Sequence, residues 1–291
     1  MKYQSVAAAA SAALVTVLLG YAQLASAQEV PIFNTVKQKL EAGERVVGVT
    51  VATSDPDIYC AVANAGFDFV WIEMQHSTLT YSEAARMIWA CKDAPAIPFV
   101  RVPGPFEGDI QKAADMGALG IIVPMVDSVQ EIRDAVTQAH YPPLGKRSQG
   151  GGQYRNLYGS EYRAAANENI MIVAMIEQPA GVEIIEEVVA VEGVDVVFVA
   201  SSDLSSFTAL PQGNPEYEAL VSRVRDTTRG AGLALGGPLA WMTTRPEYNF
   251  FQAPSTTSLV ASGSRGVLEA ADPCYGVPSG VSPVEGEDPC P

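Results

Sequence analysis

Histidine is nearly absent from this chain, with 2 in 291 residues. No Ser-His-Asp order is credible with so few, and no His/Cys spacing fits a zinc site. Basic residues are scarce as well. Lys and Arg number 18 against 33 Asp and Glu, a formal charge of −15. That balance opposes binding to nucleic acid or to an anionic membrane surface. It leaves room for an anionic substrate, because one Arg or one metal ion reverses the field locally. Long apolar runs are missing beyond the N-terminal segment, so no later stretch is built to span a bilayer. Only four cysteines occur: Cys60, Cys91, Cys274 and Cys290.

What is present begins with a leader. Lys2 precedes an apolar run from Val6 to Leu19, and LASAQ then sets Ala25 and Ala27 in a small-x-small cleavage pattern. Residues 1–27 therefore predict a secretory signal peptide and an exported protein, periplasmic or secreted, with no membrane attachment after cleavage. A membrane anchor is the alternative, but the run is short, Ala-rich and closes in the cleavage pattern. No Cys stands at the cut, which argues against a lipid anchor. Export makes disulfides possible. Cys274 and Cys290 bracket a Pro- and Gly-rich tail, 272–291, and are expected to pair. Cys60 falls near the start of one expected helix and Cys91 near the end of the next. Parallel neighbouring helices would hold them at different heights, so both are expected to be buried thiols.

Apolar runs recur through residues 28–271, at 46–52, 69–74, 98–102, 120–126, 170–176, 194–200, 233–239 and 248–253. They are continuous rather than alternating, as strands covered on both faces should be. Amphipathic segments separate most of them, and an extra helix is expected over roughly 32–42. Strand–helix alternation means a parallel sheet, and eight strands close a (β/α)8 TIM barrel. A doubly wound open sheet is the runner-up. Only a short helix fits between the last two runs. The Gly-rich stretch 145–159 reads as a long loop without phosphate-loop spacing.

In a barrel the site lies at the C-terminal ends of the strands. Run two ends in Glu73, Gln75 and His76, run three in Arg101, run five in Glu177, and run six in Ser201, Ser202 and Asp203. Any one of these is most simply the first solvated residue of a loop. Their convergence at one end points to function. Glu177 and Asp203 offer hard oxygen donors for Mg2+, Mn2+ or Co2+. Arg101 supplies fixed positive charge for a developing oxyanion. His76 is the group with a near-neutral pKa and so the candidate base. Glu73 could orient it or contact a metal-bound water.

The segments AGFDFVWIEMQHS, PFVRVPG, DMGALGIIVPMV, YPPLGKRSQG, IVAMIEQPAGVE and EGVDVVFVASSDLS together resemble the HpcH/HpaI aldolase family of class II pyruvate aldolases, from about residue 35 to 270. The resemblance implies a barrel of the phosphoenolpyruvate/pyruvate type. It also implies a homo-oligomer, usually a hexamer, with the last helix exchanged between subunits. The implied metal ligands are Glu177 and Asp203, with pyruvate held by carboxylate and keto oxygen. Arg101 matches the enolate-stabilising arginine and His76 the base-assisting histidine. Asp115 matches an aspartate that pairs with that histidine from a neighbouring subunit; by itself it reads as an ordinary helix charge. Backbone amides around Ser201 and Ser202 match the loop that receives the pyruvate carboxylate. The usual Asp-x-Glu-His pattern is here Glu73-Met74-Gln75-His76, which places Gln75 against the substrate.

The implied activity is retro-aldol cleavage of a 4-hydroxy-2-oxo acid to pyruvate and an aldehyde, or the reverse condensation, through a metal-bound enolate. Competing expectations are another metal–enolate reaction, such as a decarboxylase or a malyl- or citryl-type lyase, and a non-catalytic periplasmic 2-oxo acid binder. Elsewhere, His140 reads as a cation at a helix end on the far side of the barrel. Met87, Trp89 and Met116 read as core.

Overall fold

The computed structural model describes residues 30–277, 279, 281, 282 and 290. The expected signal peptide, 1–27, lies outside the described residues. All the expected apolar runs are strands: β1 Val46–Val51, β2 Phe69–Glu73, β3 Ile97–Arg101, β4 Gly120–Val123, β5 Met171–Ile176, β6 Val196–Val199, β7 Ala234–Pro238 and β8 Phe250–Ser255. Each pairs in parallel with the next, and β8 pairs back onto β1, so the sheet is a closed barrel. The open-sheet alternative is excluded.

The helices are α1 Thr35–Glu41, α2 Pro56–Ala63, α3 Tyr81–Ala90, α4 Glu107–Asp115, α5 Val129–Ala139, α6 Tyr154–Tyr158, α7 Tyr162–Asn169, α8 Pro179–Glu183, α9 Ile185–Val188, α10 Ser201–Thr208, α11 Pro215–Gly230 and α12 Thr256–Ala271. Their starts carry physical signals. Thr80 and Glu83 form a reciprocal capping box on α3, and Asn214 caps α11 ahead of Pro215. Asn34 caps α1 and also donates to the carbonyls of Leu119 (3.1 Å) and Asn169 (2.8 Å), pinning α1 beneath the barrel. Between β7 and β8 only a 3-10 turn, Leu239–Trp241, takes the place of a helix. The Gly-rich stretch 145–159 is not one long loop, since α6 forms within it.

The period-2 geometry of the strands decides what fills the barrel and what lines its mouth. Phe69, Trp71 and Glu73 share one face of β2, and register sets Trp71 beside Phe99 and Glu73 beside Arg101. Phe69, Phe99, Phe198 and Phe250 pack as a ring cluster, with centroids 4.5 Å apart for Phe69–Phe250 and 4.8 Å for Phe69–Phe99. Burying each ring contributes on the order of 2 kcal/mol. Gly48 and Gly120 make room for them. A Cβ at Gly48 would stand 2.0 Å from the Phe69 ring, and one at Gly120 2.1 Å from Phe99. Further along the same strands come the polar groups Thr50, Glu73, Arg101, Glu177 and Gln252. The barrel is aromatic below and charged above.

Three expectations need correction. Cys60 and Cys91 are not free thiols; they form a disulfide, with Cα atoms 5.4 Å apart. α2 is only two turns long, so Cys60 sits one turn from its C-terminus. Cys91 caps the C-terminus of α3, and the two are level. Cys274 and Cys290 pair as expected. His140 ends α5 as expected, but its surroundings oppose the cationic form. It is 2% exposed, burial pushes its pKa down, and its Nδ1 meets the Val136 carbonyl at 2.8 Å. Met87 and Met116 are core, but Trp89 is 46% exposed on the outer face of α3.

Candidate active site

The C-terminal ends of β3, β5 and β6 bring Arg101, Glu177 and Asp203 to one mouth. A cavity of about 160 Å³ opens there, lined by Arg101, Met175, Ser201, Asp203, Pro238 and Gln252 among others. Ser202 lines it too. Ser201, Ser202 and Asp203 form the first turn of α10, whose amides face outward without intrahelical partners. The Tyr217 hydroxyl donates to the Ser201 carbonyl at 3.0 Å and fixes that turn.

Glu177 is buried. Burial pushes its carboxyl pKa up, and the charges of Asp203 and Glu73 push the same way. One hydrogen bond from the Met125 amide and the charge of Arg101 oppose the rise. That amide donates to Glu177 Oε1 at 3.0 Å. Met125 holds a φ of +55°, the left-handed region that a non-glycine residue seldom adopts. Such a conformation costs on the order of 1 kcal/mol and persists only where its surroundings require it. Here it aims an N–H at a buried carboxylate. Nothing in a methionine side chain signals this role.

Glu73 does not face the mouth as a free carboxylate. Its Oε1 accepts from the amides of Gln75 (2.8 Å) and His76 (2.9 Å). Its Oε2 accepts from Trp71 Nε1 (3.2 Å) and from Arg101 Nε (2.6 Å) and Nη2 (2.5 Å). Both oxygens are occupied, so Glu73 neither orients the His76 ring nor reaches out to a water at the mouth. It clamps Arg101 and shapes the loop. Arg101, which lines the cavity, is then left with Nη1, whose one hydrogen-bond contact among the described residues is the Met175 sulfur at 3.9 Å. One guanidinium edge is anchored and the other is presented.

The remaining expected residues are less gathered. His76 is exposed at the rim, and among the described residues no hydrogen bond reaches its imidazole. Gln75 Oε1 is buried without a partner. Asp115 does not meet His76 within the chain; it pairs with Arg147 at 2.7 Å. Arg147 is itself buried, stacked over Tyr141, Tyr154 and Tyr162. Sequence reasoning missed Met125, Trp71, Thr50, Pro238 and Gln252. All but Met125 follow from counting by two along β1, β2, β7 and β8.

The HpcH/HpaI aldolase/citrate lyase family model matches residues 47–261, which hold all of the eight strands but Val46 and every mouth residue just described. The chain belongs to the HpcH/HpaI aldolase/citrate lyase family. A hydroxypyruvate/pyruvate aldolase of Rhizorhabdus wittichii is 33% identical over 224 residues, covering 72% of this chain and 88% of that one. A 2-keto-3-deoxy-L-rhamnonate aldolase of Salmonella paratyphi B is 29% identical, over 70% of this chain and 78% of its own. Among solved structures, an HpcH/HpaI aldolase/citrate lyase family protein from Burkholderia cenocepacia superposes with a TM-score of 0.76 at 25% identity, covering 82% of this chain and 99% of that chain. Membership accounts for the barrel and for the order of the HpcH/HpaI motifs along it.

The donor set fits a divalent cation. Two carboxylates share the mouth, one buried with a single amide donor, and the nearest cation is already clamped by Glu73. No group of three or more His, Cys, Asp or Glu is arranged for a metal among the described residues. Glu177 and Asp203 would therefore supply two ligands and leave the rest to water and substrate.

Proposed function

We propose that this HpcH/HpaI family protein is an exported, divalent-metal-dependent aldolase. It cleaves a 4-hydroxy-2-oxo acid to pyruvate and an aldehyde, or runs the condensation. The observation that carries this is the meeting of Arg101, Glu177 and Asp203 at one barrel mouth, where Arg101 and Asp203 line the cavity and both charges act on the Glu177 carboxyl. Glu177 and Asp203 would hold Mg2+, Mn2+ or Co2+, which supplies a Lewis acid for the 2-oxo acid. The first-turn amides of α10 at Ser201 and Ser202 receive the substrate carboxylate. Arg101 Nη1 stabilises the charge that grows on the keto oxygen as the carbon–carbon bond breaks. Glu73 positions Arg101 by occupying its other edge. His76 stands at the rim as the group that moves the proton, with Gln75 beside it.

Export is supported by the leader sequence and by two disulfides, which persist in oxidising compartments. A homo-oligomer is supported by α12. Thr256 is its one buried residue, while Val260, Val267 and Leu268 are exposed on it. In such an assembly Asp115 of a second copy would meet His76.

Pyruvate release from a 4-hydroxy-2-oxo acid tests the proposal, followed with a lactate dehydrogenase couple. Release should require added metal and fall at least about a hundredfold in Asp203→Asn. Metal-independent release, or full activity in Asp203→Asn, would defeat it.

A further inference from the structure

A second cavity, about 550 Å³, opens at the mouth beside the first. The two share Pro238 and Gln252. The first is lined by the charged Arg101 and Asp203; the second has no charged residue in its lining. Its wall is Leu239, Ala240, Ala253 and Pro254, with Thr50 and Ser255 as its hydroxyls. Gln252 stands at the junction. Its Nε2 donates to Thr50 Oγ1 at 3.1 Å, and Thr50 Oγ1 donates to the Ala253 carbonyl at 3.4 Å. The amide is thereby held across the passage between the cavities.

We infer that the second cavity is the aldehyde subsite and that the aldehyde is uncharged, with Gln252 as its polar contact. The inference rests on the aldolase reading and names its second substrate. In condensation, pyruvate loses a methyl proton and its C3 attacks the aldehyde carbon. A carbon–carbon bond forms, the carbonyl π pair moves to oxygen, and that oxygen takes a proton to become the 4-hydroxyl. The aldehyde must lie next to C3, and the adjoining cavity is the space that allows this. An anionic aldehyde would bring a carboxylate there with no Lys, Arg or His on the wall. It would also approach Asp203, which lines the adjoining cavity. A carboxylate there would gain no charge partner from the wall, while an uncharged chain gains the apolar contact. A small aliphatic or hydroxylated aldehyde meets apolar walls, two hydroxyls and one amide.

The test compares butanal with succinic semialdehyde, which matches it in carbon number but adds a carboxylate. The disulfide-bonded protein is assayed with Mn2+ and pyruvate, and adducts are quantified by mass spectrometry. We expect kcat/KM for butanal to exceed that for the semialdehyde at least tenfold. Leu239→Arg and Ala240→Arg, each confirmed folded by its melting curve, should each shift that ratio at least tenfold toward the semialdehyde. A wild-type preference for the semialdehyde, or a ratio unmoved in both variants, overturns the inference. Pyruvate methyl-proton exchange without any aldehyde runs in parallel. Exchange present with the semialdehyde preferred defeats only the subsite inference. Exchange absent with every metal defeats the aldolase reading and this inference with it.

Discussion

Glu73 sets the behaviour of the mouth at the scale of single residues. Five donors converge on its two oxygens, and two of them belong to Arg101. Removing its charge leaves a buried guanidinium uncompensated, a loss of about 3 kcal/mol. Glu73→Gln should therefore lower thermal stability and slow pyruvate proton exchange about 10- to 100-fold. Its affinity for Mn2+ should stay near that of the parent, because Glu177 and Asp203 are untouched. Calorimetry with metal titration separates the two effects, and an equal loss of metal affinity would place Glu73 among the ligands instead. Glu177 yields a pH prediction. Its pKa is raised by burial, so its contribution to stability is full below the ordinary glutamate range and is lost as pH rises through the raised value. The metal-free protein should lose stability across that window, while Glu177→Gln should not. A divalent ion competes with that proton, so the rise in melting temperature on adding Mn2+ should be larger at pH 8 than at pH 5. Met125→Val forces a β-branched side chain into the left-handed region and should cost about 1–2 kcal/mol.

At the scale of elements, the strands were the most legible feature. Every apolar run became a strand because each is covered on both faces, which leaves a continuous signature. Glu177 and Asp203 were legible for the same reason: each is the first charge after a buried run. What Glu73 touches was not legible, because that depends on the register between β2 and β3. Met125 was hidden because a backbone amide leaves no trace in residue type. The Cys60–Cys91 bond was misjudged through helix length. α2 ends two turns after it begins, which brings Cys60 level with the end of α3. That crosslink closes a loop of 31 residues and should contribute about 3 kcal/mol. The paired Cys60→Ser and Cys91→Ser variant should melt several degrees lower with its exchange rate unchanged, since the bridge lies on the outer helices. Gly48→Ala drives a methyl into Phe69 and should destabilise by about 1–3 kcal/mol.

At the scale of the whole molecule, the barrel separates stability from chemistry along its axis. Aromatic rings fill the lower layers, and the charged layer at the top is paid for by that packing. α12 is the part this division leaves unexplained within one chain, because it turns an apolar stripe to solvent. If copies cover it, Val267→Asp with Leu268→Asp should reduce the mass measured by light scattering to that of a single chain. An unchanged mass would place the interface elsewhere. The central claim concerns the mouth: Arg101, Glu177 and Asp203 form an enolate-stabilising site. Exchange of pyruvate methyl protons with D2O, followed by NMR in the absence of any aldehyde, tests it most directly. The account predicts metal-dependent exchange that is abolished by Asp203→Asn and cut at least a hundredfold by Arg101→Lys. Folded protein that shows no exchange with Mg2+, Mn2+ or Co2+ would contradict it.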